Sequence, residues 1–336
     1  MNYLITGGCG FVGSHLADHL LAAGHDVVVL DNLSTGSYRN IAHLDGRPRF
    51  RFVHGSVLDA ALMAEAAAAC DAVFHLASAV GVKLIMERPV ETIETIFQGA
   101  DTVLRAASRR RTPVLLTSTS EVYGKSEDVP FQEDGDRLEG PTTKHRWAYA
   151  CAKALDEFLA LAHWKQSRLP VIVARLFNTV GPRQTGQYGM VVPTFVRRAL
   201  AGDPLEVHGD GLQCRCFAHV QDVVEALALL MECPAARGEV VNVGSQEEVT
   251  ILELARRVQA LTGGAAEIRL LPYEQAYGDG FEDMRRRVPS LEKVRRLVGW
   301  RPRRTLDDIL RDVIASIQGS GVRGQESGGT AFGSDS

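Results

Sequence analysis

The sequence predicts an α/β protein built on a doubly wound parallel sheet, and three observations carry that prediction. Strand-like apolar runs alternate with Ala/Leu-rich helical stretches, the pattern of a parallel sheet with helices on both faces. A glycine-rich turn, Thr6-Gly7-Gly8-Cys9-Gly10-Phe11-Val12-Gly13, joins the first strand to the first helix. The second strand, Val27-Val28-Val29-Leu30, ends in the acid Asp31.

Each element follows in order. Strands are expected at 2–6, 26–30, 50–53, 72–76, 113–117 and 170–174, with helices at 13–23, 59–69, 90–109 and 146–166 between them. Right-handed crossovers bring all the carboxyl ends to one edge, where ligands bind. Beyond 176 the chain is punctuated by Gly and Pro, with a helix at 193–201, a short strand at 205–207 and a Gly209-Asp210-Gly211 turn. A helix at 219–232 and a strand at 239–243 return to the main sheet, and 250–262 and 266–318 complete a smaller lid. The expected organisation is therefore 1–176 and 213–243 as a Rossmann-type domain, interleaved with 177–212 and 244–318 as a smaller α/β domain. Residues 319–336 are Gly/Ser-rich without apolar period and are expected to be disordered.

The glycine turn and the acid make a dinucleotide site. Glycines at 7, 10 and 13 permit a tight turn and close approach of backbone to a pyrophosphate, while the helix N-terminus supplies amides and a favourable dipole. Asp31 is placed to accept both hydroxyls of an adenosine ribose and to repel a 2′-phosphate, which favours NAD over NADP. Turn glycines and a strand-end acid are also common without a ligand, so it is their spacing across one strand–helix–strand unit that carries the reading.

Composition narrows the partners. With 336 residues, 45% of them apolar, and a net charge of −4, the chain has ample core and no basic stripe interleaved with aromatics, which argues against nucleic acid. No apolar run reaches membrane-spanning length, and the first strand starts almost at Met1, leaving no room for a cleavable signal; a cytoplasmic protein is expected. The six cysteines form no C-x-x-C pair, so neither disulfide nor metal is indicated.

The chemistry-bearing residues cluster in two places. Tyr149 and Lys153 lie one turn apart on one helix face, where an ammonium favours a phenolate and draws a phenol of ordinary pKa near 10 toward the working range. Such a pair also arises by chance, as a half-buried Tyr beside a solvated Lys. Context comes from Thr117-Ser118-Thr119-Ser120-Glu121, directly after a strand and so at the carboxyl edge. Thr119 is positioned to hydrogen-bond the alcohol that Tyr149 deprotonates, and Glu121 offers a carboxylate to the same pocket. The plain alternatives are turn capping for the hydroxyls and a solvated loop acid for Glu121.

On these residues, together with Asp31-Asn32-Leu33-Ser34-Thr35-Gly36, His75-Leu76-Ala77, Arg175-Leu176-Phe177-Asn178, Gly181-Pro182-Arg183 and His219-Val220-x-Asp222, the chain resembles an extended short-chain dehydrogenase/reductase of the NAD-dependent sugar epimerase/dehydratase family over about 1–318. The resemblance implies NAD lying along Gly7, Gly10, Phe11, Val12, Gly13, Asp31, Asn32, Ser34, Thr35, Gly36, Ser56, Val57, Leu76, Ala77, Thr117, Tyr149 and Lys153. It implies a nucleotide-linked sugar, with Asn178 and the backbone near Val192 at the diphosphate or base, Arg215 at a phosphate and Arg183 available to a carboxylate. It also implies a homodimer through helices 90–109 and 146–166. Two positions depart from the family pattern. Ser56 stands where an aspartate usually receives the adenine amino group, with Asp59 a poor substitute by position. Ile96 stands where many relatives place an asparagine.

Within the family, a 4,6-dehydratase carries an aspartic acid before the Glu; here that residue is Ser120, too weak an acid for the step. UDP-glucuronate decarboxylases are more similar, in Thr119 through Gly124, in Gly140-Pro141 with Arg146-Trp147-x-Tyr149, and in the stretch from Gly278 through Asp283 to Arg286-Arg287-x-Pro289-Ser290. By this resemblance Tyr149, Lys153, Thr119, Ser120, Glu121 and Arg287 are catalytic, and the product is the UDP-linked 4-keto pentose, UDP-xylose or both. Arg287 sits in a run of three arginines, of which at least one is expected to be a solvated surface charge. The alternatives are a 4-epimerase of UDP-glucuronate or UDP-glucose and a non-catalytic NAD-binding sensor.

Overall fold

The computed structural model describes residues 1–79, 88–144, 147–186, 190–272, 275 and 284–326. Seven parallel strands form the central sheet: β1 (Asn2–Thr6), β2 (Asp26–Asp31), β3 (Phe50–His54), β4 (Ala72–His75), β5 (Val114–Thr119), β6 (Val171–Leu176) and β11 (Val240–Val243), in the order β11-β6-β5-β4-β1-β2-β3. Both faces of this sheet are covered, so its inner strands are apolar over most of their length, whereas the edge strand β3 leaves Arg51 and His54 exposed. Tyr3, Ile5, Val27 and Val29 face one core; Leu4, Val28 and Leu30 face the other. On the first side lie α1 (Phe11–Ala22) and α6 (Val220–Glu232), through Leu16, Leu20, Val223 and Leu227. On the second lie α2 (Ala60–Ala68), α3 (Pro89–Ser108) and α4 (Ala148–Ser167), through Met63, Val103, Leu104 and Ala160. Each fully buried Leu or Val of this kind contributes ~1.5–3 kcal/mol relative to exposure.

A third core, that of the smaller domain, gathers α5 (Val191–Ala201), α7 (Ile251–Leu261) and α9 (Leu306–Glu326) around Phe195, Leu254, Ile309 and Leu310. Its strands are short: β8 (Leu205–His208) pairs with β13 (Ile268–Leu271), and β9 (Cys214–Cys216) lies between β12 (Glu248–Thr250) and β14 (Arg286–Arg287). The remaining strands β7 (Thr179–Val180) and β10 (Ala218–His219) pair with each other where the chain crosses between the two domains.

Three expectations change. The strand at Cys214 belongs to the small sheet, not to the dinucleotide-binding half, because its antiparallel partner is β12. Leu291, Val294 and Trp300 pack into the first core beside α6, with α8 (Glu292–Val298), although the sequence reading gave this stretch to the second domain. Helix α9 runs on to Glu326, past Gly319, where the tail was expected to lose order. Residues 327–336, Arg146 and the 278–283 stretch lie outside the described residues.

Candidate active site

The strand order reverses between β1 and β4, which leaves a crevice at their carboxyl ends. Gly7 follows β1 with φ +72°, and a Cβ there would stand 2.6 Å from the Ala77 amide nitrogen. At Gly13 a Cβ would stand 2.3 Å from the Gly7 carbonyl oxygen. No side chain other than hydrogen fits either position, so turn and helix close tightly enough for backbone to meet a phosphate. Helix α1 has Gly10 as its N-cap and no side-chain cap, which leaves its first amides to a ligand.

Asp31 is buried, and its carboxylate accepts from the Cys9 amide at 2.9 Å and the Leu33 amide at 2.8 Å. These bonds lock the acid beside the glycine turn with lone pairs remaining for a ribose. Asn32 holds its own loop by accepting from the Ser34 amide, and Ser34 and Thr35 are exposed ahead of Gly36, which packs on Cys9. Val57 is buried, whereas Ser56 accepts from the Leu58 amide at 3.2 Å. Asp59 caps α2 through the Ala61 and Leu62 amides, so its carboxylate is committed to the helix. Phe11, Val12, Leu76 and Ala77 are half-buried around the crevice, and Thr117 donates to the His75 carbonyl at 3.1 Å. These residues fit a dinucleotide with a diol ribose.

The second half of the site is built on β5 and α4. Thr119 ends β5, and its side-chain oxygen accepts from the Glu121 amide at 3.2 Å, capping a single turn over Ser120–Tyr123. With its lone pair so used, the Thr119 hydroxyl is oriented to donate to the Tyr149 phenol, a bond that favours the phenolate. Burial works in the opposite direction and dominates, and the negative charges of Glu121 and Asp156 add to it. The phenol is thus held well above its ordinary value. This corrects the expectation that Lys153 draws it down. Lys153 is buried and donates at 2.9 Å to Asp156, one turn further along α4, so its charge is shared with a carboxylate.

The second domain brings its own charges to Glu121. The Arg287 guanidinium meets Glu121 at 2.7 Å, with both side chains nearly buried, and lies 3.4 Å from both the Ser120 hydroxyl and the Asn178 side-chain oxygen. In the β9–β14 register Arg287 stands directly opposite Arg215, also buried. Of the three arginines, Arg285 and Arg286 are exposed surface charges, Arg286 paired with Glu248. Thr119, Ser120, Glu121, Tyr149, Asn178 and Arg287 therefore converge, with Arg215 on the adjoining strand. Val192 is buried in the first turn of α5. Arg183 is elsewhere: it pairs at 2.8 Å with Asp18 of α1, and the neighbouring Pro182 carbonyl contacts His15 on that helix. Its guanidinium thus meets an acid of α1, whereas that of Arg287 meets Glu121.

Sequence reasoning missed two features. Asp156 continues the stripe of Tyr149, Lys153 and Ala160 at helical spacing, which was the available signal for a buried acid. Under the site, Glu157 receives Arg175 through a forked pair, with contacts of 2.7 and 3.0 Å, and also the Ser118 hydroxyl. These contacts tie β5, α4 and β6 together.

A model of the NAD dependent epimerase/dehydratase family matches residues 3–244. The chain is 43% identical over 312 residues to a UDP-N-acetyl-alpha-D-glucosaminuronate decarboxylase of Bacillus cytotoxicus, covering 93% of this chain and 96% of that protein. It is 38% identical to UDP-glucuronic acid decarboxylase 1 of Danio rerio, covering 93% and 71%. Among solved structures, UDP-glucuronic acid 4-epimerase of Bacillus cereus in complex with UDP-glucuronic acid and NAD superposes with a TM-score of 0.85 at 25% identity, covering 95% and 100%.

Proposed function

The chain belongs to the NAD-dependent epimerase/dehydratase family, and on that premise we propose that it is an NAD-dependent decarboxylase of UDP-glucuronate. The observation that carries this reading is the Arg287–Glu121 pair beside Thr119 and Tyr149. Bound NAD supplies the hydride acceptor for carbon 4 of the sugar. Tyr149, hydrogen-bonded by Thr119, takes the proton of the 4-hydroxyl. With carbon 4 a ketone, the sugar is a β-keto acid, and its carboxylate needs a cation to orient it and to meet the enolate left when carbon dioxide departs. Arg287 is that cation. Glu121 desolvates and steers the carboxylate, Ser120 has no acidity to expel a 6-hydroxyl, and Arg215 takes a phosphate. Arg183 is paired with Asp18 of α1 and is given no part in holding the uronate.

The uronate is the shared element in the names of both decarboxylase relatives, which differ at carbon 2. A second reading, with the N-acetylated uronate as substrate, is favoured by the Bacillus relative. The test is incubation with NAD and each UDP-uronate in turn, following carbon dioxide and the mass of the nucleotide sugar. Release of carbon dioxide is expected, and the ratio of keto-pentose to pentose product shows whether the ketone is reduced. An isomer of unchanged mass would make the protein a uronate 4-epimerase instead.

The reading includes a homodimer. Val90 and Ile93 on α3, and Leu155 and Phe158 on α4, are exposed on two helices that pack together, an apolar face suited to a second copy. Light scattering should give twice the chain mass, and Phe158→Glu should yield monomer. It also places the protein in the cytoplasm, which suits six free thiols, Cys151 among them exposed. Among the described residues no helix is long and apolar enough to cross a membrane.

A further inference from the structure

We propose that Asp156 is a positioning residue for the Tyr149–Lys153 pair, its buried carboxylate fixing where the lysine ammonium sits relative to the phenol. Tyr149, Lys153 and Asp156 follow one another along the sheet-facing stripe of α4. Asp156 is fully buried and Lys153 nearly so. An ammonium this far from water requires an anion, and Asp156 supplies it at 2.9 Å. The other oxygen of Asp156 is buried and accepts no hydrogen bond among the described residues, so the carboxylate is dedicated to Lys153. A carboxylate placed only to hold helix to sheet would use both oxygens. Neighbouring Glu157 does so, spending its own on Arg175 and Ser118.

The arrangement has a directional consequence. The groups facing Tyr149 are Thr119 and Glu121 from the end of β5, with Arg287 of β14 beyond Glu121, and Asp156 from its own helix. Those facing Lys153 and Asp156 are each other, Glu157 and, from β4, His75. Asp156 therefore shares the lysine charge that would otherwise favour the phenolate, and its own charge opposes the phenolate directly. An amide in its place still accepts from Lys153 but removes the negative charge that opposes the phenolate, so the phenol should ionise at lower pH.

The inference rests on the reading of Tyr149 as the base, and its test uses NAD-loaded protein without sugar, so a wrong sugar assignment leaves it intact. Tyrosinate absorbance is titrated in the parent protein, and the same titration in Tyr149→Phe is subtracted to isolate Tyr149. Asp156→Asn should lower that midpoint by about one pH unit, and Asp156→Glu, which keeps the charge, should restore it. If Asp156→Asn does not fold, Asp156→Ser, which admits a water beside the ammonium, reads the same shift. An unchanged midpoint in a folded, NAD-binding variant overturns the proposal. Equal shifts in the Asn and Glu variants do so too, because packing rather than charge would then be responsible, as does the absence of any Tyr149-dependent titration.

Discussion

Two buried ion pairs flank Tyr149, and they are assembled from different kinds of contact. Lys153 and Asp156 are three residues apart on α4, so they meet as soon as the helix forms. Glu121 and Arg287 come from the end of β5 and from a two-residue strand of the small sheet, so they meet only when the second domain is seated. The first pair is intrinsic to the helix that carries Tyr149. The second spans the cleft into which a substrate must enter, and a substrate carboxylate can take the position of Glu121 on the guanidinium. On the proposed reading, one pair belongs to proton transfer at carbon 4 and the other to the carboxylate lost from carbon 5.

That division can be broken by substitution. The largest effect is expected at Tyr149, on which both pairs act. Tyr149→Phe should lower turnover by ~10²–10⁴ while NAD affinity, measured by calorimetry, stays as it was. Retained turnover would remove Tyr149 from the chemistry and leave neither pair a catalytic task. Next comes the cross-domain pair alone: Arg287→Gln should cost ~10²–10³ in decarboxylation, again with NAD binding intact. If NAD affinity fell in parallel, Arg287 would be holding the domains together rather than serving the carboxylate.

The smallest effect sharpens the local side. His75 on β4 is buried against Thr6, and burial, with the Lys153 charge added, holds its imidazole down at about 3. Its unfolded value is near 6.5, so the unfolded chain binds the proton more readily between these limits. The stabilisation is complete above pH 6.5 and is lost as pH falls toward 3, by at most about 1.4 kcal/mol per pH unit. Denaturant midpoints of His75→Asn should fall less steeply across pH 6 to 4 than those of the parent protein. Equal slopes would mean that the imidazole is not held neutral beside Lys153.

What could be read without coordinates followed the reach of each interaction. Alternating apolar runs, the Gly7–Gly10–Gly13 turn, the strand-end Asp31 and the Tyr149/Lys153 spacing are local patterns, so the sequence alone determined the parallel sheet, the crevice edge of that sheet and the helix face on which Tyr149 and Lys153 lie. The same periodicity pointed to Asp156, but a buried acid is legible only if the whole stripe is known to face the sheet. The tertiary structure decided the rest. It turned Lys153 to Asp156, reversing the expected effect on the Tyr149 phenol, because the depth of burial depends on what packs over α4. It moved the Cys214 strand to the small sheet and the 291–300 stretch to the first core, because short strands and a seven-residue helix carry too little periodicity to announce their partners. It separated Arg183 from Arg287, two arginines that look alike along the chain, because only the chain's path decides which acid each guanidinium meets.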